Sequence, residues 1–179
     1  MSPSLVKLVD ASILPAAILI VAKAIGLYLV ISFLGLEWQI EYANNSIFSV
    51  YPVVFKRDVG VLSTYSDLFV ILVMLAGYGI VTFRATHLHN SHIDPKLVVT
   101  LAKLNFLGLV KDSYKIYHTA AVWILFSLVA IIFTSYNVIV GTTAGWVIII
   151  GLLIFAGITV ALIRDIEDEI ARAKKKLIL

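Results

Sequence analysis

Four long runs of apolar residues, separated by shorter polar segments, dominate the pattern of this 179-residue chain. They cover residues 13–36, 67–85, 117–136 and 143–163. About 20 consecutive apolar residues suffice for an α-helix to cross a bilayer. The runs are too long for strands and show no period-2 alternation. The pattern therefore predicts an all-α integral membrane protein, a four-helix bundle that forms a single polytopic domain over residues 1–179.

The composition supports this class and excludes several others. The chain is 61% hydrophobic and 14% charged, with a mean hydropathy of +1.02, whereas soluble domains carry about 25% charged residues. The absence of cysteine excludes disulfides, thiolate metal sites and cysteine nucleophiles. The net charge of +3 does not indicate a nucleic-acid partner, because the basic residues flank the apolar runs. We expect no nucleic-acid binding.

The basic residues are distributed unequally between the two sides of the predicted bundle. Lys23 lies inside the first run. On one side of the bundle, the only basic residues are Lys56 and Arg57, in the loop between the first and second runs. The other eleven of the 14 Lys and Arg residues fall on the opposite side: Lys7, Arg84, Lys96, Lys103, Lys111, Lys115, Arg164, Arg172, Lys174, Lys175 and Lys176. The positive-inside rule then places both termini in the cytoplasm. We expect the membrane to be the plasma membrane.

Two further helices are predicted on the basic side. Residues 94–112 begin with Asp94 as N-cap and Pro95 as first helical residue, and place lysines on one side of an apolar stripe. This is typical of a basic amphipathic helix at the membrane interface, although a cytoplasmic extension of the third span is the alternative. The tail after residue 163 continues the fourth span as a cytoplasmic helix. We expect anionic lipid headgroups or a partner at Lys96, Lys103, Lys111, Lys115, Lys174, Lys175 and Lys176.

The two connections on the other side differ in length and composition. Residues 38–66 are rich in aromatic side chains and poor in charge. This favours a segment that lies on the interface or against a partner over a loose tether. Residues 137–142 are short and uncharged, so the third and fourth spans must be antiparallel neighbours.

Lys23 is the one residue that apolar packing cannot explain. A lysine near the bilayer midplane costs about 2.5 to 3.5 kcal/mol and needs a partner, a wet cavity or a route to the interface. The other spans hold no carboxylate away from their ends, since Asp67 and Asp165 are terminal in the predicted spans. This favours a carboxylate on another subunit. A lysine that faces a transport pathway and a snorkelling lysine are the alternatives.

Histidines cluster just beyond the second span. His87, His89 and His92 precede Asp94, and His118 opens the third span. Imidazoles and a carboxylate could bind Zn²⁺ or Cu²⁺. However, His87 would point away from His89 and His92 on a helix, and no H-E-x-x-H motif is present. We therefore predict no metal, haem or other cofactor, and keep these histidines as the candidates for a metal or haem site.

Small residues recur at spacings that let membrane helices approach closely. Small-xxx-small pairs occur at Ala22 and Gly26, at Gly141 and Gly145, and at Gly157 and Ala161. Gly145, Gly151 and Gly157 also recur every six residues along the fourth span. These residues are predicted to form helix-packing contacts.

Taken with the missing catalytic motifs, these features favour an accessory or structural subunit of a larger redox, transport or secretion complex. Other membrane subunits are the expected partners, in a hetero-complex rather than a homo-oligomer. Whether the chain is an enzyme stays open, but we expect no catalysis by the chain alone. The alternatives are a small oligomeric channel or transporter with Lys23 facing the pathway, and an enzyme subunit that contributes histidines to a metal or haem.

Overall fold

The computed structural model describes residues 3–42, 50–54, 58–88, 93, 95–104 and 113–178. The described helices are α1 (Pro3–Leu34), α2 (Val59–His87), α3 (Pro95–Lys103), α4 (Ser113–Ile139) and α5 (Trp146–Ile178). Two strands, β1 (Trp38–Tyr42) and β2 (Val50–Val54), lie between α1 and α2. Within the described residues, α1, α2, α4 and α5 are long and apolar enough to cross a membrane. Each of them contains most of one predicted span. The prediction of four helices long and apolar enough to cross a membrane is therefore confirmed.

Helix α2 occupies the centre of the bundle and packs against the other three long helices. Its side chains Ile71, Met74 and Tyr78 are almost fully buried. The most apolar stretch of α2 has 44% of its residues buried, compared with 17% in α5 and 22% in α1. Helices α1 and α5 therefore form the outer surface of the bundle, and α2 forms its core.

Glycine permits close approach between α2 and its neighbours at two points. A Cβ at Gly26 of α1 would lie 3.2 Å from both the Phe69 ring and the Ser66 carbonyl oxygen of α2. A Cβ at Gly77 of α2 would overlap the indole of Trp123 on α4. In both places a side chain fills the space that the missing Cβ leaves, as close packing of membrane-type helices requires.

A Schellman motif ends α4 and turns the chain into α5. The amide of Thr142 donates to the Asn137 carbonyl at 2.9 Å, and the amide of Gly141 donates to the Val138 carbonyl at 3.0 Å. Gly141 has φ +80°, the left-handed conformation that this motif demands of its C′ residue. This turn lies at the same end of the bundle as the α1–α2 connection, and we call that end the turn end.

The aromatic-rich connection contains a β-hairpin that the sequence analysis did not predict. β1 and β2 pair antiparallel, with Trp38 opposite Val54 and Tyr42 opposite Val50. The segment mixes β-branched and aromatic residues, which favour strands, over runs too short to stand out against the long apolar helices. Its predicted position on an interface stays a prediction.

Helix α2 begins at Val59, whereas the sequence analysis placed the start of the second span at residue 67. Residues 59–66 were assigned to the aromatic-rich connection, and Ser63, Thr64 and Ser66 interrupt the apolar pattern there. They lie on a continuous helix, and Thr64 and Ser66 are buried in the bundle. Eight further residues add about 12 Å to the helix at 1.5 Å per residue.

Helices α3 and α5 correspond to the two predicted helices on the basic side. α3 ends at Lys103, so it covers the first half of the predicted 94–112 helix, and residues 105–112 lie outside the described residues. Its placement at a membrane interface stays a prediction. α5 continues unbroken to Ile178, and the predicted helical extension of the fourth span is therefore confirmed.

Candidate functional site

An ion pair joins α1 and α2 at the turn end of the bundle. The Lys23 Nζ lies 2.5 Å from Asp67 Oδ1 and donates a second hydrogen bond to Ser66 Oγ at 2.7 Å. The Asp67 side chain is 6% exposed and the Lys23 side chain 37% exposed. The carboxylate is therefore the buried member of the pair, while the lysine reaches it from a partly open position.

The second oxygen of Asp67 ties the pair to the rest of the bundle. Asn137 at the end of α4 donates its amide Nδ2 to Asp67 Oδ2 at 2.9 Å. Thr143, in the turn before α5, donates its hydroxyl to the same oxygen at 2.6 Å. Hydrogen bonds to an ionised acceptor are roughly twice as strong as neutral ones. One carboxylate thus holds α1, α2, α4 and the α4–α5 turn together.

Hydroxyl groups on α2 fix the same turn from a second side. Ser63 Oγ and Thr143 Oγ1 lie 3.0 Å apart, and the backbone amide of Ala144 donates to Thr64 Oγ1 at 3.0 Å. Ser66 Oγ in turn donates to the Ser63 carbonyl at 3.1 Å. Ser63 and Thr64, which interrupt the apolar pattern of this segment, thus bind the α4–α5 turn.

The expectation that Lys23 lacks a carboxylate partner within the chain is wrong. It rested on Asp67 being the first residue of a span, whereas Asp67 lies eight residues inside α2. Leu62, Ser66 and Val70 recur every four residues and are all buried, so they lie on one inner face of α2. A serine in the middle of this stripe concealed its continuity.

A cleft opens beside the ion pair, between α1 and α4. It has a volume of about 340 Å³, and Lys23 and Asp67 form part of its wall. Apolar residues, among them Leu19, Val70 and Phe133, form most of the remainder. The cleft therefore combines an apolar interior with one charged and hydrogen-bonding end.

The predicted histidine group is described only in part. His87, the last residue of α2, has its Nδ1 2.5 Å from the Thr86 hydroxyl, and its ring stacks on Phe83 with centroids 4.6 Å apart. His118 lies half-buried on α4. His89 and His92 lie outside the described residues. Within the described part of the chain, no group of three or more histidine or acidic side chains is placed to hold a metal ion.

The predicted headgroup lysines have different positions in the structure. Lys103, Lys115 and Lys174 are exposed on α3, α4 and α5 respectively. Lys96 lies on α3, and Lys175 and Lys176 lie on α5, but their side chains are outside the described part of the structure. Lys111 lies outside the described residues. The three lysines whose side chains the structure describes lie on three different helices.

The predicted packing residues divide into three groups. Ala22, Gly26 and Gly151 are buried between helices, and a Cβ at Gly151 would lie 3.1 Å from Ile71. Gly141 forms part of the turn and, among the described residues, makes no helix-packing contact. A Cβ at Gly145 would lie at an ordinary 3.8 Å from Val138 Cγ1, at the end of α4. Gly157 is exposed on α5, and no described atom outside its own helix backbone comes within 4 Å of its Cβ position.

Comparison of the chain with known protein families, with curated proteins and with solved structures found no match.

Proposed function

We propose that the chain is an integral membrane protein with cytoplasmic termini that acts as an accessory subunit of a larger membrane complex. The four long apolar helices and the excess of basic residues at one end support the membrane location. The proposal does not use Lys23 as the assembly residue, because Asp67 already pairs with it. It rests on one observation, the open small-residue face of α5.

Among the described residues, three other helix glycines are filled by side chains of the same chain, whereas Gly60 in the first turn of α2 also meets open space. Gly26 receives Phe69, Gly77 receives Trp123 and Gly151 receives Ile71. Gly157 lies on the same helix as Gly151 but faces outward, where a Cβ would meet open space. A glycine in a helix interior is destabilising by about 1 kcal/mol relative to alanine, so an unfilled one has a cost and no benefit within this chain.

The residues around Gly157 form a shallow groove along α5. Leu153, Gly157 and Ala161 are spaced by four, so they lie on one face of the helix, and all three are exposed. Leu153 is 69% exposed and Val160 49%. A small residue flanked by large aliphatic ones lets a second helix approach closely, and such faces are enriched where membrane helices associate. A helix of another subunit is the occupant that we propose.

A channel or transporter remains the second candidate, and one observation favours it. Lys23 and Asp67 line the cleft between α1 and α4, and intramembrane charged residues mark substrate or ion pathways in many transporters. In this reading several copies would associate so that the clefts face a shared pathway. The two candidates differ in whether the assembly contains other proteins.

Native mass spectrometry of the gently extracted protein tests the proposal. We expect the wild-type chain to leave the membrane with one or more different membrane proteins. Gly157→Leu should reduce their recovery at least tenfold, because the added side chain fills the groove. Ala121→Leu makes a similar small-to-large change at an exposed position of α4, and it should leave recovery unchanged.

Two outcomes would count against the subunit. A wild-type chain that appears only as copies of itself would favour the channel or transporter. Partners that are recovered equally with Gly157→Leu and Ala121→Leu would show that the α5 face is not the contact.

A further inference from the structure

The cleft between α1 and α4 has the properties of a ligand site that does not depend on the α5 face. We propose that it binds an uncharged, lipid-like molecule through a carbonyl oxygen. The hydrocarbon part of this molecule lies between α1 and α4, and the oxygen accepts hydrogen bonds at the end formed by Lys23 and Asn137.

The cleft has the size and shape of a small-molecule site. Its volume of about 340 Å³ falls within the roughly 300 to 1,000 Å³ common for ligand pockets. Val70 and Ala130 are buried at its floor, whereas Ile20 and Phe133 at its rim are 73% and 61% exposed. The opening therefore faces sideways between two helices, which is the direction from which a molecule dissolved in the bilayer would enter.

The polar end of the cleft presents hydrogen-bond donors. Lys23 has three ammonium hydrogens, and its hydrogen bonds to Asp67 and Ser66 use two of them. Asn137 uses one of its two amide hydrogens on Asp67. Tyr136, a residue that is 64% exposed, also lines the cleft and carries a further hydroxyl donor. Donors that line an apolar cleft are best satisfied by an acceptor oxygen on the ligand.

The charge of the site selects against an anion. Asp67 lies 2.5 Å from the lysine nitrogen, so the pair is neutral as a unit. Both carboxylate oxygens already accept hydrogen bonds, from Lys23, Asn137 and Thr143. An anionic headgroup at Lys23 would meet the Asp67 charge within the same low-dielectric space. A carbonyl oxygen accepts the same hydrogen bonds without this repulsion.

A second groove on the other side of α1 provides an internal comparison. It has a similar volume of about 360 Å³, but its lining, which includes Val21, Ile25 and Phe69, contains no charged residue. Such a groove suits hydrocarbon chains without selecting a headgroup. Val21, which follows Ile20 in α1, is 51% exposed in this second groove. A substitution at Val21 therefore leaves the charged cleft intact and serves as a control for a substitution at Ile20.

The test uses two tryptophan variants and titration of the delipidated full chain in detergent micelles. Dioctanoylglycerol supplies ester carbonyls, decylubiquinone supplies quinone carbonyls, and decanoate supplies a charged carboxylate. We expect at least one of the two uncharged probes to bind the wild type with one-to-one stoichiometry, and the probe that binds identifies the source of the carbonyl. Ile20→Trp should weaken this binding at least tenfold by obstructing the opening, and Val21→Trp should change it less than twofold.

A third variant makes the test independent of the bulky substitutions. Tyr136→Phe removes one exposed hydroxyl donor, and it should weaken binding several-fold while the melting temperature stays within a few degrees of the wild type. The proposal fails if neither uncharged probe saturates, or if decanoate binds more tightly than both. It also fails if Ile20→Trp and Val21→Trp bind equally well.

Discussion

At the scale of single residues, Asp67 has a greater structural role than Lys23, although Lys23 is the more conspicuous in the sequence. The carboxylate accepts hydrogen bonds from Lys23, Asn137 and Thr143, whereas the lysine links α1 only to Ser66 and Asp67 of α2. The lysine is also the less enclosed partner, because its side chain is 37% exposed against 6% for Asp67. Loss of Lys23 and loss of Asp67 should therefore lower the stability of the fold by different amounts.

Lys23→Met should destabilise the isolated chain more than Asp67→Asn does. Removing one member of a buried pair costs about 3 to 5 kcal/mol, and partial exposure of Lys23 moves the expected loss toward the lower value. Lys23→Met leaves the buried carboxylate without its counter-ion, whereas Asp67→Asn leaves the more exposed lysine. The measurement is thermal unfolding in one detergent, followed by circular dichroism.

The double variant gives the sharper comparison. Lys23→Met combined with Asp67→Asn removes both charges and lets the new amide bond with Asn137 and Thr143. It should be more stable than Lys23→Met alone. Equal stability of Lys23→Met and the wild type would contradict a structural ion pair.

The sequence predicted half of this site. A lysine inside an apolar run predicts a partner by electrostatics alone, and Lys23 was identified in this way. The partner was missed because Ser63 and Ser66 are polar by composition but face the interior of the bundle. Hydropathy cannot distinguish a serine exposed in a loop from one buried against another helix. The cleft could not be predicted, because it depends on the distance between α1 and α4.

At the scale of secondary-structure elements, a glycine that follows α4 and a glycine inside α5 have opposite roles. Gly141 adopts φ +80° at the end of α4. Gly157 lies in the interior of α5 and contacts no described neighbour. The small-residue spacing predicted helix packing for both, because spacing alone does not reveal backbone conformation.

The same substitution at these two positions should change stability in opposite directions. Gly141→Ala should destabilise the chain by about 1 to 2 kcal/mol, because an alanine resists the left-handed conformation. Gly157→Ala should stabilise the isolated chain by up to about 1 kcal/mol through helix propensity. Unfolding of both variants in the same detergent measures the difference. Two shifts of the same sign would contradict these assignments.

At the scale of the whole molecule, the proposed topology follows from charge and from an even number of spans. The chain has no cysteine, so single-cysteine variants can be labelled without background. Glu37→Cys, next to β1, should react with an impermeant maleimide added outside intact cells. Lys174→Cys, near the end of α5, should react only after the cells are opened. Both positions are exposed. Labelling of both from the same side would contradict the proposed orientation.

The position of Asp67 in the chain also has a consequence for biosynthesis. Asp67 follows Lys23 by 44 residues, so a ribosome adding about 5 to 20 residues per second makes the lysine about 2 to 9 s before its counter-ion. During this interval, α1 alone would enter the bilayer at a cost of about 2.5 to 3.5 kcal/mol for the lysine. Helices α1 and α2 are the smallest portion of the nascent chain in which this charge is balanced. In the proposed membrane topology, insertion of α1 and α2 as a pair is therefore favoured over insertion of α1 alone.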